Sequence, residues 1–421
     1  MSRCKLNSLL KLKHGYAFKS ECYVESSNVV LVTLANISDK NMFKINLKKS
    51  TYYGAEYPED FNLHSDDLIM PLTEQVIGLF GNTALVPDIP GLQLVLNQRV
   101  AKIIPIEGKA DKYFLHYLLA SNSVKKQLEA RASAGTKQRN ISPDDVYDVE
   151  VEVPDYPTQK KIGEFLHNLE KQICINTNLI SKYMEYINFL YDYWFLQFEF
   201  PNENHKPYFS NGGKMVYNEE LKMNLPENWH VSDLKHTKLC TSIDTGIDVF
   251  EGNKKYLATA DVDGISIFDG SDITYDNREG RANMQPVENS IWFAKMKNSI
   301  KHIAVTPSSN WLIKKYVFST GFTGLKCENQ SFAYLWSYIS NPIFETIKDM
   351  RSSGSTQEGI NDEDLCLFPL IVPEQSVLNR YNELVVPAIE KIYALVYENK
   401  KLEEHIRFML PLLINGQVSL D

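Results

Sequence analysis

Two stretches of the chain repeat apolar residues at alternating steps of four and three. The first, over about 157–197, runs Ile162, Leu166, Leu169, Ile173, Asn176, Ile180, Tyr183, Ile187, Leu190, Trp194. The second runs Tyr381, Val385, Ala388, Ile392, Leu395, Asn399, Leu402, Ile406, Met409, Leu413. This period sets the apolar positions along one seam of a helix and predicts two coiled-coil helices. About forty residues of helix reach roughly 60 Å. Pro387 falls inside the second seam and predicts a kink or a local disruption there.

Each seam holds one Asn in an otherwise apolar row. If the helices pair antiparallel with full overlap, Ile162 faces Leu413, Trp194 faces Tyr381 and Asn176 faces Asn399. Two readings stand. Either the amides meet and fix the register, because a slip by one heptad buries each against apolar side chains at ~1–3 kcal/mol, or both are exposed and the coincidence means nothing.

Away from the seams the period changes. Short β-rich runs such as "NVVLVTLANI" (28–37) and "SIWFAKM" (290–296) alternate with turn residues over roughly 1–150 and 225–370. Each region ends in an aromatic-rich helical run, "YFLHYLLASN" (113–122) or "SFAYLWSYISN" (331–341). A second echo follows each run: "SAGTKQRNIS" (133–142) and "SSGSTQEGIN" (352–361). A short acidic run, an apolar run and Val-Pro-Asp/Glu come next in both. Ser121, Asn122, Ile141, Pro154 and Asp155 match Ser340, Asn341, Ile360, Pro373 and Glu374 at one shift of 219; Gln159 matches Gln375 at 216. Drifting offsets predict loops of different length on a shared framework, so the chain reads as two copies of one unit, a globular region followed by a long helix. The polar, turn-rich segment with "PNEN", "SNGGK" and "LPENW" between the copies reads as a linker.

Antiparallel helices put their N-termini at opposite ends, so the two globular regions are expected tens of Å apart and related by a pseudo-twofold, with the chain's end returning toward the first of them.

Composition narrows the class. A chain of 421 residues with 43% hydrophobic content suits two or three domains. Six widely spaced cysteines without a CxxC pair fit a reducing cytoplasm, and the opening residues show no apolar signal region. No apolar run reaches the ~18 residues of a membrane span. The net charge of −9 weighs against a nucleic-acid binder, but it is unevenly spread. Arg99, Lys102, Lys109, Lys112, Lys125, Lys126, Arg131, Lys137 and Arg139 stand against only Glu107, Asp111 and Glu129, and residues 289–327 hold six Lys and no acid. Such stretches serve phosphates or form ordinary solvated surface.

Catalytic signatures are missing. The sequence has no GxxxxGK[ST] loop, no HExxH, and no Asn/Asp-Pro-Pro-Tyr run of the amino-methyltransferase kind. "PDDVYDVEVE" (143–152) is acidic, but no Glu-x-Lys follows it in the nuclease manner.

The doubled plan, together with "YWFLQFEFPNENHKPYFSNGGKMVYNEELKMNLPENWHVSDL" (193–234), resembles the specificity subunits of type I restriction–modification systems. An aromatic helix end, a polar stretch with Gly-Gly and then Pro-x-x-Trp is similar to that family's passage into its second recognition domain. "LKLKHGYAFKS" (10–20) resembles its first-domain opening; "VPDYPTQKKIGEFLHNLEKQI" (153–173) and "VPEQSVLNRYNELVVPAIEKI" (372–392) resemble its Pro–Gln helix starts. The resemblance covers nearly the whole chain. It implies an α+β fold, with two pseudo-twofold-related mixed α/β target recognition domains separated by an antiparallel two-helix coiled coil. The expected divisions are recognition domains at 1–152 and 225–371, helical regions at 153–198 and 372–421, and a linker at 199–224. It also implies a cytoplasmic host-defence protein that is not itself catalytic and that reads a bipartite, asymmetric duplex target. Two methyltransferase subunits would use S-adenosylmethionine on adenine N6, and motor and nuclease subunits would use ATP with Mg²⁺. This chain would hold neither cofactor nor metal.

With DNA as the expected partner, Thr136, Lys137, Gln138 and Arg139 are the first candidate contacts in the first copy, and Ser355, Thr356 and Gln357 in the second. Arg and Gln pair bidentately with guanine and adenine edges; Thr and Lys suit phosphates. Alternatively Gly135 and Gly354 only shape a turn. Lys11, Lys13, His14, Tyr16 and Lys19 form a second set, and Lys295, Lys297, Lys301 and His302 a third. Glu358 stands where Arg139 stands; it either accepts from cytosine N4 or is simply exposed. Tyr186, Phe189, Tyr193 and Phe195, off the seam, pack on methyltransferase subunits or on the chain's own domains. Two other classes remain open, a coiled-coil adaptor unrelated to DNA and a fused restriction–methylation enzyme with an unfamiliar site. Deleting one heptad from each helix, about 10 Å of rise, is expected to shorten the unread spacer of the target while leaving both half-sites unchanged, as read by mapping methylated adenines.

Overall fold

The computed structural model describes residues 1–75, 77–133, 138–328, 330–354 and 358–420. The chain divides into two units, Met1–Lys171 with Glu403–Asp421, and Gln172–Leu402.

In the first unit, alternating runs build an antiparallel sheet of four strands in the order Leu10–His14, Val100–Pro105, Leu68–Pro71, Ala84–Leu85. A second sheet runs Tyr23–Val24, Tyr52–Tyr53, Val29–Val32, Gln93–Leu96, and its last two strands are parallel. Ser2–Lys5 pairs with Glu150–Val153. The helix Lys112–Leu119 starts where the Asp111 carboxylate accepts the Phe114 N–H at 2.9 Å, satisfying a first-turn donor. It buries Phe114, Leu115, Leu118 and Leu119 in one core with Ile162, Leu166 and Leu413.

The second unit repeats this plan. Its antiparallel sheet is Cys240–Ser242, Phe322–Cys327, Ser290–Ala294, His302–Val305. Its other sheet is Ser271–Ile273, Lys254–Leu257, Tyr316–Ser319, Ala282–Met284, again with one parallel pair, Lys254–Leu257 on Tyr316–Ser319. His230–Asp233 pairs with Pro369–Val372, the counterpart of Glu150–Val153 at the shift of 219. The aromatic run forms the helix Phe332–Ser340, buried almost throughout.

The seams form long helices at Tyr156–Tyr191 and Gln375–Ile414. The first ends in a π turn, Asp192–Leu196, which turns both Trp194 and Phe195 into the core. In the second unit the two helices run antiparallel. The Asn176 amide donates to the Asn399 side-chain carbonyl at 2.9 Å, and Trp194 lies on Tyr381 with centroids 5.4 Å apart. Asn176 is 1% exposed, and its own carbonyl accepts from Gln172 at 2.9 Å. The amides therefore meet. The second helix runs through Pro387 without a break. Val385, Ile389 and Ile392 are buried on both sides, enough to outweigh the ~3 kcal/mol of an interior proline.

The stretch expected as a linker is folded. Met215–Asn218 and Met223–Pro226 form a hairpin, and Phe200 stacks on Trp229 at 4.9 Å with both rings buried. Widely spaced aromatics among polar residues hid this in the sequence.

One ionic cluster sits in the second core. Lys348 is wholly buried; its ammonium lies 2.7 Å from Glu345 and donates to the carbonyls of Ala294 (3.1 Å) and Ser299 (2.9 Å). Glu345 also meets buried His302 at 2.9 Å. Burial opposes the charge on Glu345, but hydrogen bonds from His302 and Lys348 outweigh it and hold the carboxyl below its ordinary 4.5.

Two outcomes are expected. N176L/N399L should lose the unique register, read as several disulfide crosslinks from cysteine pairs placed along the seam where the native chain forms one. Glu345→Gln should destabilise by about 3 kcal/mol in denaturant titrations, because it leaves a buried lysine without its counter-charge. A depressed carboxyl stabilises fully above its unfolded value and less as pH falls through its folded value, so wild type should lose this term below about pH 4.5 and the variant should not.

Candidate nucleic-acid interface

The described ends of the two echoed segments meet at a foot in each unit. In the first unit the Ser133 N–H donates to the Asn140 carbonyl at 3.0 Å, and the Asn140 side chain accepts from Thr73 (2.8 Å) and Gln138 (3.1 Å). Arg139 and Asn140 form a two-residue strand on Thr73–Glu74, with Arg139 opposite Glu74. The Arg139 guanidinium donates through Nε to Glu74 at 2.7 Å and lies over the Phe80 ring at 5.7 Å. Glu74 is 1% exposed and also accepts the N–H groups of Leu79 (2.9 Å) and Phe80 (3.2 Å).

In the second unit Ser353 and Gly359 exchange N–H to carbonyl bonds at 2.9 and 3.0 Å. Met296 bridges Gly359, so Lys297 stands opposite Glu358, and its ammonium pairs with the Glu358 carboxylate. The Lys297 N–H donates to the Glu358 carbonyl at 3.0 Å. Arg139 and Glu358 are the same position at the shift of 219; their partners, Glu74 and Lys297, are the same position at 223. The two feet carry one ion pair with its polarity reversed.

Thr136, Lys137, Ser355, Thr356 and Gln357 lie outside the described residues. Gln138 is half-buried against Asn140, and Arg139 is drawn to the loop foot. In the second set, Lys13 and Tyr16 converge on Phe61, at 5.3 and 5.1 Å, and the Lys13 ammonium donates to the Asp60 carbonyl. Lys11, His14 and Lys19 are exposed. In the third set every lysine is engaged: Lys295 with Asp362 at 2.9 Å, Lys297 with Glu358, and Lys301 with the Thr259 carbonyl. His302 is buried on Glu345 and does not reach the surface.

Two lysines of the acid-free run 289–327, Lys295 and Lys297, are thus neutralised in space by Asp362 and Glu358, and some of the first basic stretch likewise, Lys102 by Asp67 at 2.7 Å and Lys112 by Asp66. Sequence reasoning missed Glu74 and Asp362. Each lies more than sixty residues from its partner, and no local pattern marks either. Of the helix aromatics, Phe195 is buried among Tyr334 (4.6 Å) and Tyr381 (4.8 Å), while Phe189 is 64% exposed and stacks on Tyr193. Among the described residues no group of His, Cys, Asp or Glu could hold a metal ion, and no helix is long and apolar enough to cross a membrane.

Comparison with known proteins bears on this geometry. Residues 2–182 match the family described as Type I restriction modification DNA specificity domain. The chain is 25% identical to the type I restriction enzyme MjaIX specificity subunit of Methanocaldococcus jannaschii, over 78% of this chain and 74% of the relative. It is 21% identical to the HindI specificity subunit of Haemophilus influenzae, over 72% of this chain and 77% of the relative. The crystal structure of the type I restriction–modification S subunit from M. genitalium has the same fold, with a TM-score of 0.55 at 16% identity over 100% of this chain and 96% of that one. With its doubled sheets and helical seams, the chain is similar to the type I restriction–modification specificity subunits, and residues 2–182 match the DNA specificity domain of that family.

Proposed function

We propose that this chain reads duplex DNA for a type I restriction–modification complex, one half-site with each unit, and that it performs no chemistry itself. One observation carries the reading. Two copies of one plan each close a foot at the same position, and the residues there differ: Lys137-Gln138-Arg139 against Thr356-Gln357-Glu358. A shared scaffold with divergent loops suits a target whose halves differ in sequence. Thr136, Lys137, Gln138, Ser355, Thr356 and Gln357 remain the proposed loop contacts, with Lys11, Lys13, Tyr16 and Lys19 as a further set. Lys295, Lys297 and Lys301 would reach phosphates only by giving up their present partners.

Two methyltransferase subunits are the proposed partners, using S-adenosylmethionine on adenine N6. Exposed Tyr186 and Phe189 on the first long helix offer them an apolar surface. Motor and nuclease subunits using ATP and Mg²⁺ would complete the restriction enzyme, in the cytoplasm.

The chain should be expressed with its methyltransferase partners, and the methylated adenines in host DNA mapped. One bipartite, asymmetric motif is expected. Copurification without any sequence preference would favour a non-DNA adaptor, and methylation by this chain alone would favour a fused enzyme. Lys137→Ala should weaken binding about equally on all DNA and lower the salt slope by about 1, whereas Gln138→Ala should relax one base position at ~1–3 kcal/mol.

A further inference from the structure

We propose that the ion pairs Glu74–Arg139 and Lys297–Glu358 are clamps that position the two reading loops, and that their opposite polarity keys each loop to its own base. The inference rests on the DNA-reading role above.

The strand pairing that carries each foot is short. In the first unit the outgoing strand of the loop is two residues long; in the second it is a single bridge with flanking hydrogen bonds. Pairing this short slips or frays unless side chains fix it. In both units the fixing residue is the last one before the closing residue, Arg139 before Asn140 and Glu358 before Gly359, so it stands within two residues of the undescribed stretch, Glu358 next to 357 and Arg139 one residue beyond Gln138.

The polarity adds a second property. The first loop on the second base would set Arg139 against Lys297, and the second loop on the first base would set Glu358 against buried Glu74. Like charges directly opposite on paired strands are unfavourable. Each base therefore accepts its own loop and rejects the other.

The second unit is the place to test this. Glu74 accepts two backbone N–H groups that an arginine could not satisfy, so inverting the first pair would orphan them. The side chains of Lys297 and Glu358 are 37% and 49% exposed, so inverting this pair buries no unpaired charge. K297E, E358K and the double variant would be made in the full chain, with neutral K297Q as a milder control. Two measurements apply: amide exchange at Ser353 and Gly359, and the adenine-methylation motif directed with the methyltransferase partners.

Each charge-reversed single variant should speed exchange at those amides roughly tenfold and blur one half-site while the other stays sharp. K297Q should do the same to a smaller degree. The double variant should return both readouts to wild type. Wild-type exchange in the single variants overturns the clamp. So does a double variant with a new second half-site, since Glu358 would then be reading a base itself. A wild-type chain that directs no sequence-specific methylation overturns the DNA-reading role, and the positioning role with it, whatever the exchange data show.

Discussion

A primary amide buried in an apolar seam must find a partner, and along these helices one register supplies it. Asn176 donates to Asn399 and accepts from Gln172, so its polar groups are satisfied at 1% exposure. Hydrophobic residues at heptad spacing attract one another in many registers; an unpaired amide removes most of them. The rest of the second unit is built on that choice. The same register seats Trp194 on Tyr381. The Tyr381 hydroxyl shares a hydrogen bond with Ser337 of the aromatic helix at 2.8 Å, and Tyr393 accepts the Ala304 N–H at 2.6 Å. The helices thus belong to the unit's core as well as forming a seam.

Charge plays the comparable role at the loop feet. Along the chain, residues 289–327 are a run of lysines without an acid; in the fold, carboxylates from beyond residue 345 answer Lys295 and Lys297. Local charge density in sequence is therefore a poor guide to field at the surface, because strand pairing brings distant acids within ~3 Å, where Coulomb attraction is strongest. Lys11 and Lys19, which lie in a less conspicuous stretch, are exposed and have no ion-pair partner among the described residues.

What could be read in advance was whatever repeats at short range. The 4,3 spacing marked both long helices, the two Asn marked their register, and the shift of 219 marked the duplicated plan, which the antiparallel four-stranded sheets of the two units repeat. Long-range partners were illegible. Nothing near Arg139 points to Glu74, sixty-five residues earlier, so a guanidinium suited to a guanine edge is found braced on a buried carboxylate. Polar composition misled in the other direction at 199–224, where a hairpin forms and Phe200 and Trp229 anchor it although their neighbours are solvated. Pro387 does not break the helix because propensity is a local term and burial on both sides of it is not.

Each unit also begins and ends its globular region on neighbouring strands: Ser2–Lys5 beside Glu150–Val153, and His230–Asp233 beside Pro369–Val372. The backbone leaves each region a single strand's width from where it came in, about 5 Å. A region with this property behaves as a cassette. Everything between the two strands can be exchanged for another segment whose ends meet at the same spacing, while the helices that follow keep their seam. A duplicated chain built this way can acquire a new specificity in one half by inheriting a cassette, without the other half having to change.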